Sequence, residues 1–144
     1  MAIGGRLFSL GFWAETKNPK GGFMQSQTAE QLAQKKCVDC EGKTPKYSTA
    51  EAKAQLNNLP GWKITHDDER IRKNWTVKDF LAGLEFFQEV AKLAEAENHH
   101  PDLHLEGYRN VWIEIYTHAI GGLSENDFIL AAKIDRLPIK LKTA

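Results

Sequence analysis

The sequence predicts an α+β fold, a four-stranded antiparallel sheet with three helices packed on one face in the order α-β-β-α-β-β-α, and three observations carry that prediction. A Ser or Thr stands three residues before an acid at Ser48 and Glu51, at Thr76 and Asp79, and at Ser124 and Asp127. In that pattern the hydroxyl accepts from an orphan backbone N–H while the acid reaches back or complements the helix dipole, so each pair marks a helix start. Between the starts lie two pairs of β-prone runs, each pair split by polar residues. The last run alternates, with Val111, Ile113, Ile115 and Thr117 to one side and Trp112, Glu114, Tyr116 and His118 to the other, as in a sheet covered on one face.

The elements follow in order. Residues 1–25, "MAIGGRLFSLGFWAETKNPKGGFMQ", have no sustained period and read as a leader or extension. Arg6, Lys17 and Lys20 fit an organellar presequence, whereas Glu15 does not. "KKCVDCEGKTPKY" reads as a polar connector, so residues 1–45 form an N-terminal extension with a Cys-x2-Cys segment and the core pattern begins at Ser48. Removing residues 1–45 is therefore expected to leave folding and turnover nearly intact. The first helix, about 49–57, stops at "NNLPGW", where Pro60 and Gly61 break it. "GWKIT" and "RIRKNWTV" flank "HDDE" as a first hairpin. The second helix follows Thr76, places Phe80, Leu84, Phe87 and Ala91 on one stripe with Leu81 and Val90 beside it, and runs to about Asn98. "DLHLEGY" and "VWIEIYTH" flank "RN" as a second hairpin, and the third helix, about 125–136, ends before Pro138.

Composition bounds the function. The 144 residues, 42% of them hydrophobic, suit a single packed domain, residues 46–144, behind the extension. Lys+Arg and Asp+Glu are each 19, so there is no chain-wide basic footprint and nucleic acid is not an expected direct partner. No run approaches the ~20 apolar residues of a membrane span. Two cysteines make no disulfide framework, so a soluble, cytoplasmic protein is expected, or a mitochondrial or plastid one if residues 1–25 are a leader. The uncovered sheet face and the sheet edges favour self-association, as a dimer or tetramer.

Four of the five histidines, His99, His100, His104 and His118, fall within twenty residues. Imidazole titrates near neutrality, so the cluster points to proton transfer, metal binding or a pH switch. Glu95 and His99 are four apart on the last turn of the long helix, where their side chains can meet. Pro101 turns His100 out of the helix, and His118 closes the last strand ahead of the "AIGG" loop.

Glu95-x3-His99-His100-Pro101, six residues, Tyr108, nine residues, His118, eight residues, Asp127 resembles the signature of the pterin-4a-carbinolamine dehydratases. The likeness runs over residues 48–136, including "LPGW", and "HPDLHLEGY" and "YTHAIGGLSENDFILAAKI" are most similar to plant-type and protist-type long forms. The resemblance implies the fold reached above and a hydro-lyase acting on a 4a-hydroxytetrahydropterin in tetrahydrobiopterin recycling, with no metal or organic cofactor. It implies a catalytic set of His99, His100 and His118, with Asp127 at a further signature position. Substrate contacts would fall on Asn98, His99 and His100 and on Tyr116, Thr117, His118 and Ala119, with Glu95 orienting His99. An aromatic amino acid hydroxylase system would supply the substrate. Which histidine is acid and which is base does not follow.

Plainer readings stand beside these. Asp127 is also a helix N3 acid, Glu95 a helix-end charge, His104 a strand residue with a surface role, and Trp62 and Trp75 core. A zinc module would use Cys37, Cys40 and histidines, but no second pair follows at finger spacing, and Pro101 keeps His100 and His104 off one helix. A non-catalytic interaction adaptor of the same fold is the remaining alternative.

Overall fold

The computed structural model describes residues 24–40 and 42–143, so the leader reading of residues 1–25 falls almost wholly outside the described residues. The order is α1 (Ala29–Ala33), α2 (Thr49–Leu56), β1 (Lys63–Thr65), β2 (Arg70–Thr76), α3 (Phe80–Glu97), β3 (Asp102–Glu106), β4 (Asn110–Ile115) and α4 (Glu125–Ile134). A 3₁₀ turn, His118–Ile120, joins β4 to α4. The expected α-β-β-α-β-β-α succession is present, preceded among the described residues by the short α1, which Thr28 and Gln31 start with a capping box.

The sheet has the order β1-β2-β4-β3 with every pair antiparallel, and the central β2–β4 ladder runs from Ile71 opposite Ile115 to Thr76 opposite Asn110. Ile71, Val111, Ile113 and Ile115 are almost wholly buried and join Phe86, Val90, Phe128, Leu130 and Ile134 in one core. The second hairpin turns earlier than expected. Gly107 and Tyr108 take the left-handed region at φ 54° and 57°, while Asn110 already pairs with Glu106. Glycine enters that region without steric cost, so the reversal settles there rather than on "RN".

α3 corrects two expectations. Thr76 is the last residue of β2, and Asp79 is the cap, its carboxylate accepting from the Ala82 N–H at 2.8 Å. The chain stays extended past Thr76 because Val77 bridges Leu141 and the Lys78 N–H reaches the Lys140 carbonyl. The buried stripe is Ala82, Phe86, Val90 and Ala94, whereas Phe80, Leu81 and Leu84 are exposed and Phe87 is half-buried. Size explains the rotation. A Cβ on Gly83 would lie 2.7 Å from Leu105 Cδ1, so the start of the helix packs closely through Ala82 and Gly83, which turns Phe80, Leu81 and Leu84 outward while Phe86 and Val90 stay in the core.

Residues before Ser48 also belong to the core. Leu32 is fully buried, Cys37 nearly so, and α1 packs against α4. The Gln27 N–H and carbonyl are both held by the Gln55 side chain at 2.8 Å, and Glu51, which caps α2 with Ser48, also accepts from the Met24 N–H. These contacts weigh against the expectation that residues 1–45 are dispensable for folding: Leu32 in α1 and Cys37 in the connector are seated in the core, although Val38 beside Cys37 is exposed. Leu32→Ala is expected to cost about 2–5 kcal/mol, the usual range for a buried leucine, read as a shift of the urea midpoint. Removal of residues 1–45 should cost at least as much.

Two carboxylates fasten this strap. Burial pushes the Glu97 carboxyl up, but the Lys133 ammonium and the Cys37 N–H more than reverse this and hold it below the ordinary carboxylate range. Glu51 is likewise raised by burial and brought below that range by the Ser48 and Met24 N–H groups and the Ser48 hydroxyl. Depressed folded values mean stability that is complete above the unfolded range near pH 4.5 and lost as pH falls through the folded values. Acidification below the ordinary carboxylate range, through the depressed folded values of Glu51 and Glu97, should thus release the strap, and amide exchange at Met24 and Cys37 should accelerate before exchange in β2 and β4.

Candidate active site

α3 ends because Asn98 takes the left-handed conformation, φ 50° and ψ 40°, with its N–H closing on the Ala94 and Glu95 carbonyls. Asparagine tolerates that region better than most residues. The reversal sends the next two side chains opposite ways. His99 turns inward and is 8% exposed, while the His100 side chain is 56% exposed just before Pro101.

His99 Nε2 lies 2.7 Å from Asp127 Oδ1, and Asp127 is fully buried at the first turn of α4. Asp127 Oδ2 accepts from the Ser124 N–H and from the Thr117 hydroxyl, both at 2.8 Å. Because the Thr117 hydroxyl donates to Asp127, it accepts from the Ser124 hydroxyl at 2.7 Å. Three donors converge on one carboxylate, as a buried acid requires. The donor to Oδ1 is then His99 Nε2–H, which leaves Nδ1 as the ring's other nitrogen. Asp127 is therefore both the helix N3 acid and the partner of a histidine.

The expected Glu95–His99 contact is absent. Glu95 Oε1 instead meets His100 Nε2 at 2.8 Å on the surface, because the turn at Asn98 takes His99 off the helical line. Thr117, expected to face substrate, is 1% exposed and has its hydroxyl engaged by Asp127 and Ser124. Its N–H donates to the Gly122 carbonyl at 2.9 Å, closing the loop that presents His118 and Ala119 to solvent. His118 starts the 3₁₀ turn, and its ring centroid lies 4.0 Å from that of half-buried Tyr116. His104 stacks flat on Trp112 at 4.9 Å on the open face of the sheet, outside the Asp127 network. Tyr108 lies in the second hairpin turn.

The two cysteines meet the start of α4 rather than the histidines. Cys37 Sγ contacts the Asn126 carbonyl at 3.6 Å, and Asn126 Nδ2 lies 2.8 Å from Cys40 Sγ. Burial, and then the Glu97 charge, push the Cys37 thiol up to about 12. Among the described residues, no group of three or more His, Cys, Asp or Glu gathers as a metal site would require.

Residues 45–137 match the family described as pterin 4 alpha carbinolamine dehydratase, which is more than half of the chain. The chain belongs to this family of dehydratases. It is 52% identical over 112 residues to pterin-4-alpha-carbinolamine dehydratase 2, mitochondrial, of Arabidopsis thaliana, covering 76% of this chain but only 60% of that relative. It is 40% identical over 107 residues to a putative pterin-4-alpha-carbinolamine dehydratase of Rubrobacter xylanophilus, covering 74% of this chain and 98% of that one. The crystal structure of a transcriptional coactivator/pterin dehydratase from Brucella melitensis superposes with a TM-score of 0.59 at 28% identity, over 63% of this chain and 96% of the other. The fold deduced from pattern is thus the family's fold. Ser124 was missed as a site residue, although its place three before Asp127 was visible in the sequence.

Proposed function

We propose that this protein removes water from a 4a-hydroxytetrahydropterin to give the quinonoid dihydropterin, with histidines moving the protons. The observation that carries this reading is the His99–Asp127 pair, a buried imidazole fixed by a buried carboxylate, in a chain of the dehydratase family whose His100 and His118 are exposed. The reaction breaks the bond from ring carbon to hydroxyl as one group protonates the departing oxygen. A second group accepts the proton lost from the neighbouring ring nitrogen, so the exchange is balanced and needs no oxidant. Imidazoles suit both tasks near neutral pH, and each transfer is typically worth about 10²–10⁴-fold.

Asp127 fixes the orientation of His99, and through Thr117 it also anchors the strand end that carries His118. Glu95 positions His100. Asn98, Tyr116 and Ala119 border these imidazoles in sequence and are assigned to the substrate surface. Tetrahydrobiopterin recycling, with an aromatic amino acid hydroxylase as the source of substrate, is the setting this chemistry suits. The name of the Arabidopsis relative supports an organellar location as the alternative to the cytoplasm.

Exposed Phe80, Leu81 and Leu84 form an apolar strip on α3, which supports self-association through that helix. A second, adaptor role is supported by the Brucella protein, which is named a coactivator as well as a dehydratase. The deciding experiment mixes purified protein, with and without chelator, with freshly generated 4a-hydroxytetrahydropterin and follows quinonoid product. Acceleration that survives chelation is expected. A rate equal to that of buffer leaves only the adaptor reading.

A further inference from the structure

The open face of the sheet holds a group that the His99–Asp127 network does not use. Arg70 begins β2, and because Ile71 stands opposite Ile115, Arg70 falls opposite Tyr116 just past the end of the ladder. Its guanidinium carbon lies 4.0 Å from the centre of the Tyr116 ring. One nitrogen of the same guanidinium donates to Glu114 at 3.0 Å and to Asp102 at 3.1 Å. Glu114 is 4% exposed and also faces Arg72 at 3.8 Å, so the array is partly shielded from water.

The places of these partners in the chain give the array its meaning. Asp102 comes two residues after His100, and Tyr116 comes two residues before His118. The Tyr116 ring that carries Arg70 is also the ring against which His118 rests, with centroids 4.0 Å apart. One side chain therefore ties the start of β3, where His100 enters, to the aromatic support of His118. A guanidinium can do this because its edge binds carboxylates while its plane stacks on a ring; an ammonium has no such plane.

We infer that Arg70 is a positioning residue for the dehydration, holding Tyr116, and through it the His118 imidazole, in fixed register with the His100 segment. The inference rests on the dehydratase reading for its effect on turnover, but the linkage itself is a property of the folded chain.

The test compares Arg70→Ala and Arg70→Lys with the parent protein, since Lys keeps the charge beside buried Glu114 and guards against a variant that fails to fold. Turnover is measured on generated 4a-hydroxytetrahydropterin, and the histidine ring protons are followed by NMR. Ring protons of His118 next to Tyr116 carry a ring-current shift that reports their contact. Both variants should lower kcat by about threefold to tenfold, the scale of a partly shielded cation–π contact, with KM changed less than about twofold. The His118 signals should move in both variants while those of His99 stay in place. Unchanged His118 signals overturn the linkage, and so does an Arg70→Lys variant with parental kcat, since a charge-only role is rescued by Lys. A rise in KM at constant kcat overturns it as well, by making Arg70 a binding residue. If the parent protein shows no turnover, the dehydratase reading fails, and the NMR arm alone decides whether Arg70 governs His118.

Discussion

Asp127→Ala is expected to lower the dehydration rate at least about tenfold and to destabilise the fold by about 2–5 kcal/mol, the largest combined effect of any single substitution in the site. The change strands three donors at once: His99 Nε2–H, the Thr117 hydroxyl and the Ser124 N–H. Each lies in a region with almost no access to water, so each loss carries the cost of an unsatisfied buried group. Asp127→Asn separates the two consequences. Its amide oxygen still accepts at the helix start, but its NH₂ group confronts a donor, so stability should recover partly while His99 remains misoriented. Urea titration and initial rates at matched folded fraction read both. Asp127→Asn with parental turnover would show that the carboxylate serves the helix alone.

The second large effect separates the histidines. Both His99→Ala and His118→Ala are expected to reduce turnover at least about tenfold, and the double variant should fall well short of the product of the two losses, since groups acting together are not additive. Stability distinguishes them. His118 is exposed, so its loss should stay within about 0.5 kcal/mol, whereas loss of buried His99 leaves Asp127 short of a donor and should cost about 1–3 kcal/mol. His104→Ala is the control. It forfeits a stacked contact with Trp112 and some stability, yet turnover should change by less than about threefold, because His104 lies outside the Asp127 network. Equal rate losses in all three, matched by equal falls in melting temperature, would make the cluster structural.

Much of this was legible in the sequence because local chemistry and tertiary packing agree. Ser48 with Glu51 and Ser124 with Asp127 start helices as read, and the alternation through Val111, Ile113 and Ile115 gives the buried face of β4. Reading failed where packing overrode local pattern. The large side chains of α3 suggested a buried stripe at Phe80 and Leu84, but the close approach of Gly83 to Leu105 on β3 rotates the helix so that Ala82, Phe86 and Val90 are buried instead. The Glu95–His99 spacing was helical on paper, and one left-handed residue, Asn98, cancelled it. Cys37 was hidden because the connector has no period, and Leu32 because α1 spans only five residues, although Thr28 and Gln31 form a capping box at its start.

The central claim, that an exposed imidazole moves a proton during the loss of water, is tested most directly by chemical rescue. Single-turnover dehydration of generated 4a-hydroxytetrahydropterin is followed by stopped flow for the parent protein and His118→Ala, with chelator present and increasing imidazole in the buffer. A proton-transfer role for His118 predicts a parent rate far above buffer and nearly independent of imidazole, and a His118→Ala rate at least about tenfold lower that climbs with added imidazole. A His118→Ala protein that matches the parent, or one whose lost rate imidazole does not restore at all, would contradict it.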